Sequence, residues 1–462
     1  MRFLRHAAAL VAAAATSVSA ISLDLQSPVL TPTCADSIKM AAATVAKKMV
    51  AFYPGDQPGG IPGLLGDPYY WWEAGGMFGS LIDYWYYTGD DQYNNITTQA
   101  LVFQLSSTYN YMPPNQSKSE GNDDQIFWAF AVMTAAEYKY PNPPDGTPAW
   151  VSIAAAVFNS QAIRWDNTTC AGGLRWQIFT FNNGYNYKNS PSNAGFLNLA
   201  ARLYAYTGNQ TYADWVEKTW DWMTAIGLLS PDSQVFDGTN DLQNCTELDH
   251  VQWTYSAGMM LNAAAVMWNA TNGTAANSST WETRLNGLWT ESANVFFKDK
   301  VMLEIACEPG GNCNIDQQSF KAYFTRFVVA STKWAPQLYN QVMPYIQTSA
   351  QAAAAQCSGG TDGITCGTKW TTNGVWDGTY GVGQQLCALE IIQSNLIQQS
   401  YAPVTASRGG ISQGNASLGT GGDDGGNPIV LSPITTADRA GAGIVTIVVI
   451  LGTVAGGYWI IS

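Results

Sequence analysis

Histidine is almost missing from this chain of 462 residues: His6 and His250 are its two examples, and no Cys-x-x-Cys pair occurs. A zinc site assembled from closely spaced cysteines and histidines therefore has no ligand set, and neither a metal nor a cofactor is expected. No Gly-x-Ser-x-Gly elbow accompanies His250, so it reads as a hydrogen-bonding loop residue rather than a catalytic base. Charge is scarce too, at 12% of residues, and it is lopsided, with 21 basic against 34 acidic side chains. An acidic chain without a basic run is a poor partner for nucleic acid. Aromatic residues are as common as charged ones, also 12%. The surface must then be polar through Asn, Gln, Ser, Thr and Gly, a composition suited to neutral hydroxyl-rich ligands, with aromatic faces beside amides.

The two ends of the chain differ from its middle. Arg2 and Arg5 precede an apolar run from Ala7 to Ala15 and the small residues Val18-Ser-Ala20, which together read as a signal peptide over 1–20. After Tyr401, Gly, Ser, Asn and Pro dominate, and 401–433 reads as a flexible linker. Ala440 to Ile461 is apolar and uncharged, and the small-residue stretch Gly421-Gly-Asp-Asp-Gly-Gly426 lies upstream of it. That order reads as a signal for replacing the tail, 434–462, by a glycolipid anchor, with Asp424 as the attachment residue; a membrane span is the other reading. Nine Asn-x-Ser/Thr sequons and eight cysteines fit an oxidising, secretory route. Cys307–Cys313 and Cys357–Cys366 are spaced to close local loops, leaving four cysteines to join distant parts, with Cys34–Cys387 one option.

The body, 21–400, reads as helical. Apolar segments of helical length recur near 36–52, 73–88, 91–108, 123–139, 148–163, 192–206, 210–226, 253–269, 280–296, 318–331, 337–355 and 379–397. Two turns repeat, Tyr87-Thr-Gly-Asp-Asp-Gln-Tyr93 and Tyr206-Thr-Gly-Asn-Gln-Thr-Tyr212, each with a glycine suited to a helix end. Alternate segments are rich in Ala, Gly and aromatics, while those between carry more charge. The expectation is an all-α ring of six hairpins, six inner helices and six outer ones, with the starts of the inner helices on one rim.

One segment stands apart. Asp123 and Asp124 follow Gly121-Asn122, a helix-start signal, and precede the nearly uninterrupted apolar run Ile126 to Ala136. A helix apolar on all sides is a buried helix. Two carboxyls at its first turn sit where backbone N–H groups favour negative charge. They are either a helix cap or the acid pair that glycoside hydrolysis needs. The stretches before other inner helices supply sugar-binding candidates: Trp71 and Trp72; Arg175 and Trp176; Tyr187, Lys188 and Asn189; Asp237, Trp253 and Tyr255; Trp376 and Asp377. Any one of these aromatics could equally be core.

The Asp-Asp pair opening an aromatic helix resembles glycoside hydrolase family 76, and in particular its fungal cell-wall branch. Gly172-Gly-Leu-Arg-Trp-Gln-Ile178, Tyr187-Lys-Asn189, Trp253-Thr-Tyr-Ser-Ala-Gly258, Phe320-Lys-Ala-Tyr-Phe-Thr-Arg326 and Trp376-Asp-Gly378 are similar to the same family. The resemblance spans about 34–400. It implies an (α/α)6 barrel and a retaining mechanism with Asp123 as nucleophile and Asp124 as general acid/base. It further implies action on α-1,6-linked mannose, including the glycan of glycolipid-anchored proteins, with cell-wall glucan as acceptor. The protein would then be a monomer held on the outer face of the plasma membrane and in the wall. Two other readings are a non-catalytic carbohydrate-binding wall protein on the same scaffold, and an inverting enzyme using acids on different loops, such as Asp124 and Asp377.

Overall fold

The structure, a computed structural model, describes residues 32–271 and 276–420, with Thr446 standing alone. The 1–20 segment, Asp424 and the remainder of the tail lie outside the described residues. Among the described residues, twelve α-helices alternate between two layers. The inner layer holds α2 (Trp71–Thr88), α4 (Asn122–Glu137), α6 (Ser190–Thr207), α8 (Thr254–Ala270), α10 (Phe320–Trp334) and α12 (Val382–Gln393). The outer layer holds α1 (Pro32–Val50), α3 (Asn94–Phe103), α5 (Trp150–Ile163), α7 (Gln210–Ala225), α9 (Ala276–Val295) and α11 (Tyr339–Gln356). Each inner helix packs on the next, α2 on α4 and so on to α10 on α12, and α12 returns to α2 to close the ring. The fold is the expected all-α (α/α)6 barrel.

The two layers follow from two hydrophobic patterns. In α4 every residue but Asp124 is buried, as a helix walled in by neighbours requires. In α7 the buried residues form a stripe, Tyr212, Val216, Thr219, Trp220 and Met223 among them, and the other face is left to solvent. Close packing of the inner ring relies on small residues. At Gly76 a methyl group would stand 2.4 Å from the Tyr323 hydroxyl. The two repeated turns end α2 and α6 at Gly89 and Gly208, with φ of 78° and 73°, where glycine carries no Cβ penalty.

Buried charges bolt the ring together. Arg326 on α10 reaches Asp83 on α2 at 2.6 Å and Glu390 on α12 at 2.9 Å, and Arg202 on α6 meets Glu137 on α4 at 2.6 Å. Removing one partner of such a buried pair costs about 3–5 kcal/mol, because the other charge is left without compensation.

Three features depart from the sequence reading. First, short strands interrupt the helices: β1 (Tyr187–Asn189), β2 (Phe236–Asn240) and β3 (Leu248–Gln252) form an antiparallel sheet, and β4 (Phe297–Lys298) pairs with β5 (Val301–Met302). Runs this brief carry no readable alternation. Second, residues 401–420 continue the folded body as a strap. The Val404 and Ala406 N–H groups donate to the Glu137 and Ala205 carbonyls at the ends of α4 and α6, at 3.0 and 2.9 Å. Ser412 Oγ accepts from Val151 N at 3.0 Å, and Asn159 Nδ2 donates to the Ala416 and Leu418 carbonyls. The strap satisfies helix-end groups that would otherwise lack partners, so its Gly- and Ser-rich composition does not make it a linker. Third, the long disulfide is Cys170–Cys245, beside the local Cys307–Cys313 and Cys357–Cys366. Cys34 and Cys387 are not joined: the Cys387 Sγ points to the Gln318 carbonyl, at 3.3 Å, on the side of α10.

Candidate active site

The inner-helix starts share one rim, and the start of α4 is held there with unusual care. Its N-cap, Gly121, leaves no room for a side chain, since a Cβ would sit 2.3 Å from Asp123 Oδ1. Asn122 N donates to the Trp176 carbonyl and Asn122 Nδ2 to the Arg175 carbonyl, both at 2.8 Å. The following acids have unequal surroundings. Asp123 is buried; its Oδ2 accepts from Asn189 Nδ2 at 2.8 Å and its Oδ1 from the Asp124 N–H at 3.1 Å. Burial pushes it up to about 7, against those donors, which favour the anion. Asp124 is partly exposed, and its Oδ2 accepts from Gly121 N at 2.7 Å. Burial, then the charge of Asp123, holds Asp124 well above the usual carboxylate range. The arrangement favours an ionised Asp123 beside a protonated Asp124.

Both acids face a cavity of about 270 Å³. Its aromatic lining is Trp72, Phe127, Trp176, Tyr187, Trp253, Tyr255 and Phe320; its polar lining, besides the pair, is Asn189, Asp237, Asn314, Asp316 and Gln317. Asp237 accepts from the Tyr187 hydroxyl at 2.6 Å and Asp316 from Trp72 Nε1 at 3.0 Å; burial raises the pKa of both. Tyr255 stacks on Phe320 with centroids 3.9 Å apart. Flat rings beside amides and carboxylates are the chemistry that sugar rings and hydroxyls fit.

The small sheet explains how distant stretches meet here. Strand β1 ends in Asn189, β2 brings Asp237, and β3 leads into Trp253, with Asn189 paired across from Gly238. Of the fourteen residues read from the sequence as site candidates, nine line this cavity: Asp123, Asp124, Trp72, Trp176, Tyr187, Asn189, Asp237, Trp253 and Tyr255. Five more such candidates do not. Trp71 turns into the core, its Nε1 donating to Gln104 and its ring stacked on Trp128. Arg175 is paired with Asp166 at 2.7 Å and Asp241 at 2.6 Å. Lys188 is wholly buried, its Nζ donating to the Thr169 and Gly172 carbonyls at 2.8 and 2.5 Å beside Asp166. Trp376 covers Gly359 and donates to the Thr379 carbonyl at 2.8 Å. Asp377 accepts from Lys369 N, Thr379 N and the Thr379 hydroxyl, all within its own loop. His250 is exposed, its ring edge-on to Phe236.

Phe127, Asn314, Asp316, Gln317 and Phe320 were not anticipated. Four of them belong to the approach to the fifth inner helix, and the rule that site residues precede inner helices, applied there, points to Asn314-Ile-Asp-Gln317.

The model of glycosyl hydrolase family 76 matches residues 37–407. The chain belongs to this family. It is 45% identical over 430 residues to mannan endo-1,6-alpha-mannosidase DCW1 of Saccharomyces cerevisiae, covering 92% of this chain and 93% of that protein. The crystal structure of Dfg5 from Chaetomium thermophilum in complex with glucosamine is 42% identical, covers 83% of this chain and 96% of its own, and superposes with a TM-score of 0.80. An α-1,6-mannanase of Salegentibacter sp., 18% identical with a TM-score of 0.61, shares the helical barrel. This family 76 protein is a glycoside hydrolase.

Proposed function

We propose that this hydrolase acts with retention on α-1,6-linked mannose glycans, with Asp123 as nucleophile and Asp124 as general acid/base. The observation that carries the assignment is the unequal holding of the two acids at one helix start: two donors on Asp123, a raised and partly exposed Asp124. The mannan specificity is supported by the names of the relatives at 42–45% identity.

The Asp123 carboxylate attacks the anomeric carbon as the bond to the leaving oxygen breaks, and Asp124 gives its proton to that oxygen. The sugar is then an ester of Asp123. Asp124, now a carboxylate, takes a proton from an incoming hydroxyl, whose oxygen attacks the same carbon; the ester bond breaks and both acids return to their starting states. Retention by such a pair needs carboxyls about 5–5.5 Å apart. The incoming hydroxyl can belong to water or to a sugar. Aromatic walls favour a stacked sugar acceptor, so transfer to wall glucan from the mannose-bearing glycan of a glycolipid-anchored protein is the reading we prefer. On this reading Asp424 carries an anchor that keeps the enzyme at the outer face of the membrane, supported by the small-residue stretch and uncharged tail. For the inverting alternative the pair Asp124 and Asp377 is disfavoured, because Asp377 is committed to its own loop.

The first product formed from an α-1,6-mannan oligosaccharide, followed by NMR before mutarotation, should be the α anomer. With a glucan oligosaccharide added, a transfer product should appear by mass spectrometry. A β first product would end the retaining assignment. Release from intact cells by a phosphatidylinositol-specific phospholipase tests the anchor, and a mature mass that includes Ala440–Ile461 would reject it.

A further inference from the structure

We propose that Glu304 is a positioning residue for one wall of the cleft, acting through a buried knot with Thr254, Glu308 and Lys321; this rests on the cavity at Asp123 and Asp124 being the glycan site. The wall in question joins Trp253 and Tyr255, at the start of α8, to Asn314, Asp316, Gln317 and Phe320, at the approach to α10. The two stretches are distant in sequence, and the knot is what couples them.

Glu304 is fully buried and does not line the cavity. Helix α8 has no cap of its own, since its N-cap residue is Trp253, which makes no side-chain cap bond. Glu304 supplies that cap from another part of the chain: its carboxyl accepts from Thr254 N at 3.2 Å and from Thr254 Oγ1 at 2.5 Å. The Glu304 N–H donates to Glu308 Oε1 at 3.0 Å, and the same oxygen takes Lys321 Nζ at 2.7 Å. Lys321 also donates to the Thr368 carbonyl at 2.6 Å and lies 3.8 Å from the Trp370 ring centre. The Cys307–Cys313 disulfide shortens the loop between Glu308 and Asn314. The start of α8, the disulfide loop and the start of α10 are thereby one unit, and the Tyr255–Phe320 stack is its face toward the cavity.

The titratable groups facing Glu304 are Glu308 from its own loop, Lys321 from α10, Tyr255 from α8 and Cys387 from α12. Burial pushes Glu304 up to about 8, against the two Thr254 donors, which favour the anion, with Glu308 adding to the rise and Lys321 opposing it. The folded-state value lies above the ordinary one, so the knot is intact with Glu304 protonated and is weakened as pH rises through about 8, because burial penalises the charged carboxylate.

The test compares Glu304→Ala, Glu304→Gln and Asp123→Asn in the full chain, with α-1,6-mannotriose as the probe. At pH 6, Glu304→Ala should raise KM about tenfold or more with kcat changed less than about threefold, while Glu304→Gln, which keeps an acceptor for Thr254, stays within about threefold of the parent in KM. The parent should lose affinity above about pH 8 and Glu304→Gln should not. If Glu304→Ala is not recovered folded, Thr254→Val, which removes one bond of the knot, should raise KM about threefold. A parental KM in Glu304→Ala, or in Thr254→Val where that variant stands in, overturns the proposal. An active Asp123→Asn would instead sink the reading of the cleft itself.

Discussion

At the scale of single residues, the proposed division of work between the two adjacent aspartates rests on their different surroundings, and the pH dependence should show it. On the proposed mechanism the active form has Asp123 ionised and Asp124 protonated. Activity should therefore fall on the acid side as pH drops through the raised value of Asp123, near about 7, and on the alkaline side as it rises through the still higher one of Asp124. Asn189 donates to the Asp123 anion, so Asn189→Ala should move the acid limb of kcat/KM upward and cost about tenfold or more at pH 6. A limb that stays in place would show that Asn189 does not hold the nucleophile. The aromatic lining makes a second claim. Trp176 stands exposed at the cavity, so Trp176→Ala should weaken mannotriose binding by about 1–3 kcal/mol in calorimetry, whereas Trp376→Ala, which uncovers Gly359 in a separate loop, should leave binding unchanged.

At the scale of elements, the twelve helices were legible because each carries its pattern over ten or more residues, and α4 declared itself through an apolar run behind two acids. What was hidden is short or inward-turned. Strand β1 is three residues long, yet it sets Asn189 against Asp123. Periodicity cannot say which way a lone residue at a loop points, so Lys188, next to Asn189, was read as facing substrate when it faces inward. Its ammonium gathers the carbonyls of 169 and 172 and the Asp166 carboxylate near the Cys170–Cys245 bridge. Lys188→Met should leave that charge and those carbonyls unmatched and destabilise the protein by about 3–5 kcal/mol in denaturant unfolding. A loss of binding without a loss of stability would return Lys188 to the site.

At the scale of the whole molecule, a ring has no free end to fray, and its closure depends on α12 meeting α2 and on the charges around Arg326. The strap 401–420 adds a further tie across α4, α5 and α6 that composition alone concealed, because glycine and serine are as able to hydrogen-bond through the backbone as any residue. Ending the chain after residue 400 should expose the helix-end carbonyls and cost on the order of 3 kcal/mol or more, seen as a lowered Tm, while ending it after residue 420 should leave the Tm of the body unchanged. Equal Tm values for the two truncations would show that the strap contributes nothing.

The central claim is that Asp123 forms a covalent bond to the sugar while Asp124 handles protons. The most direct measurement is intact-protein and peptide mass spectrometry of Asp124→Asn and Asp123→Asn after exposure to a mannoside with an activated leaving group, which needs little protonation to depart. Asp124→Asn should accumulate one mannosyl adduct, located on the peptide at Asp123, and Asp123→Asn should accumulate none. An adduct located at Asp124, or turnover near the parent rate in both variants, would contradict the account.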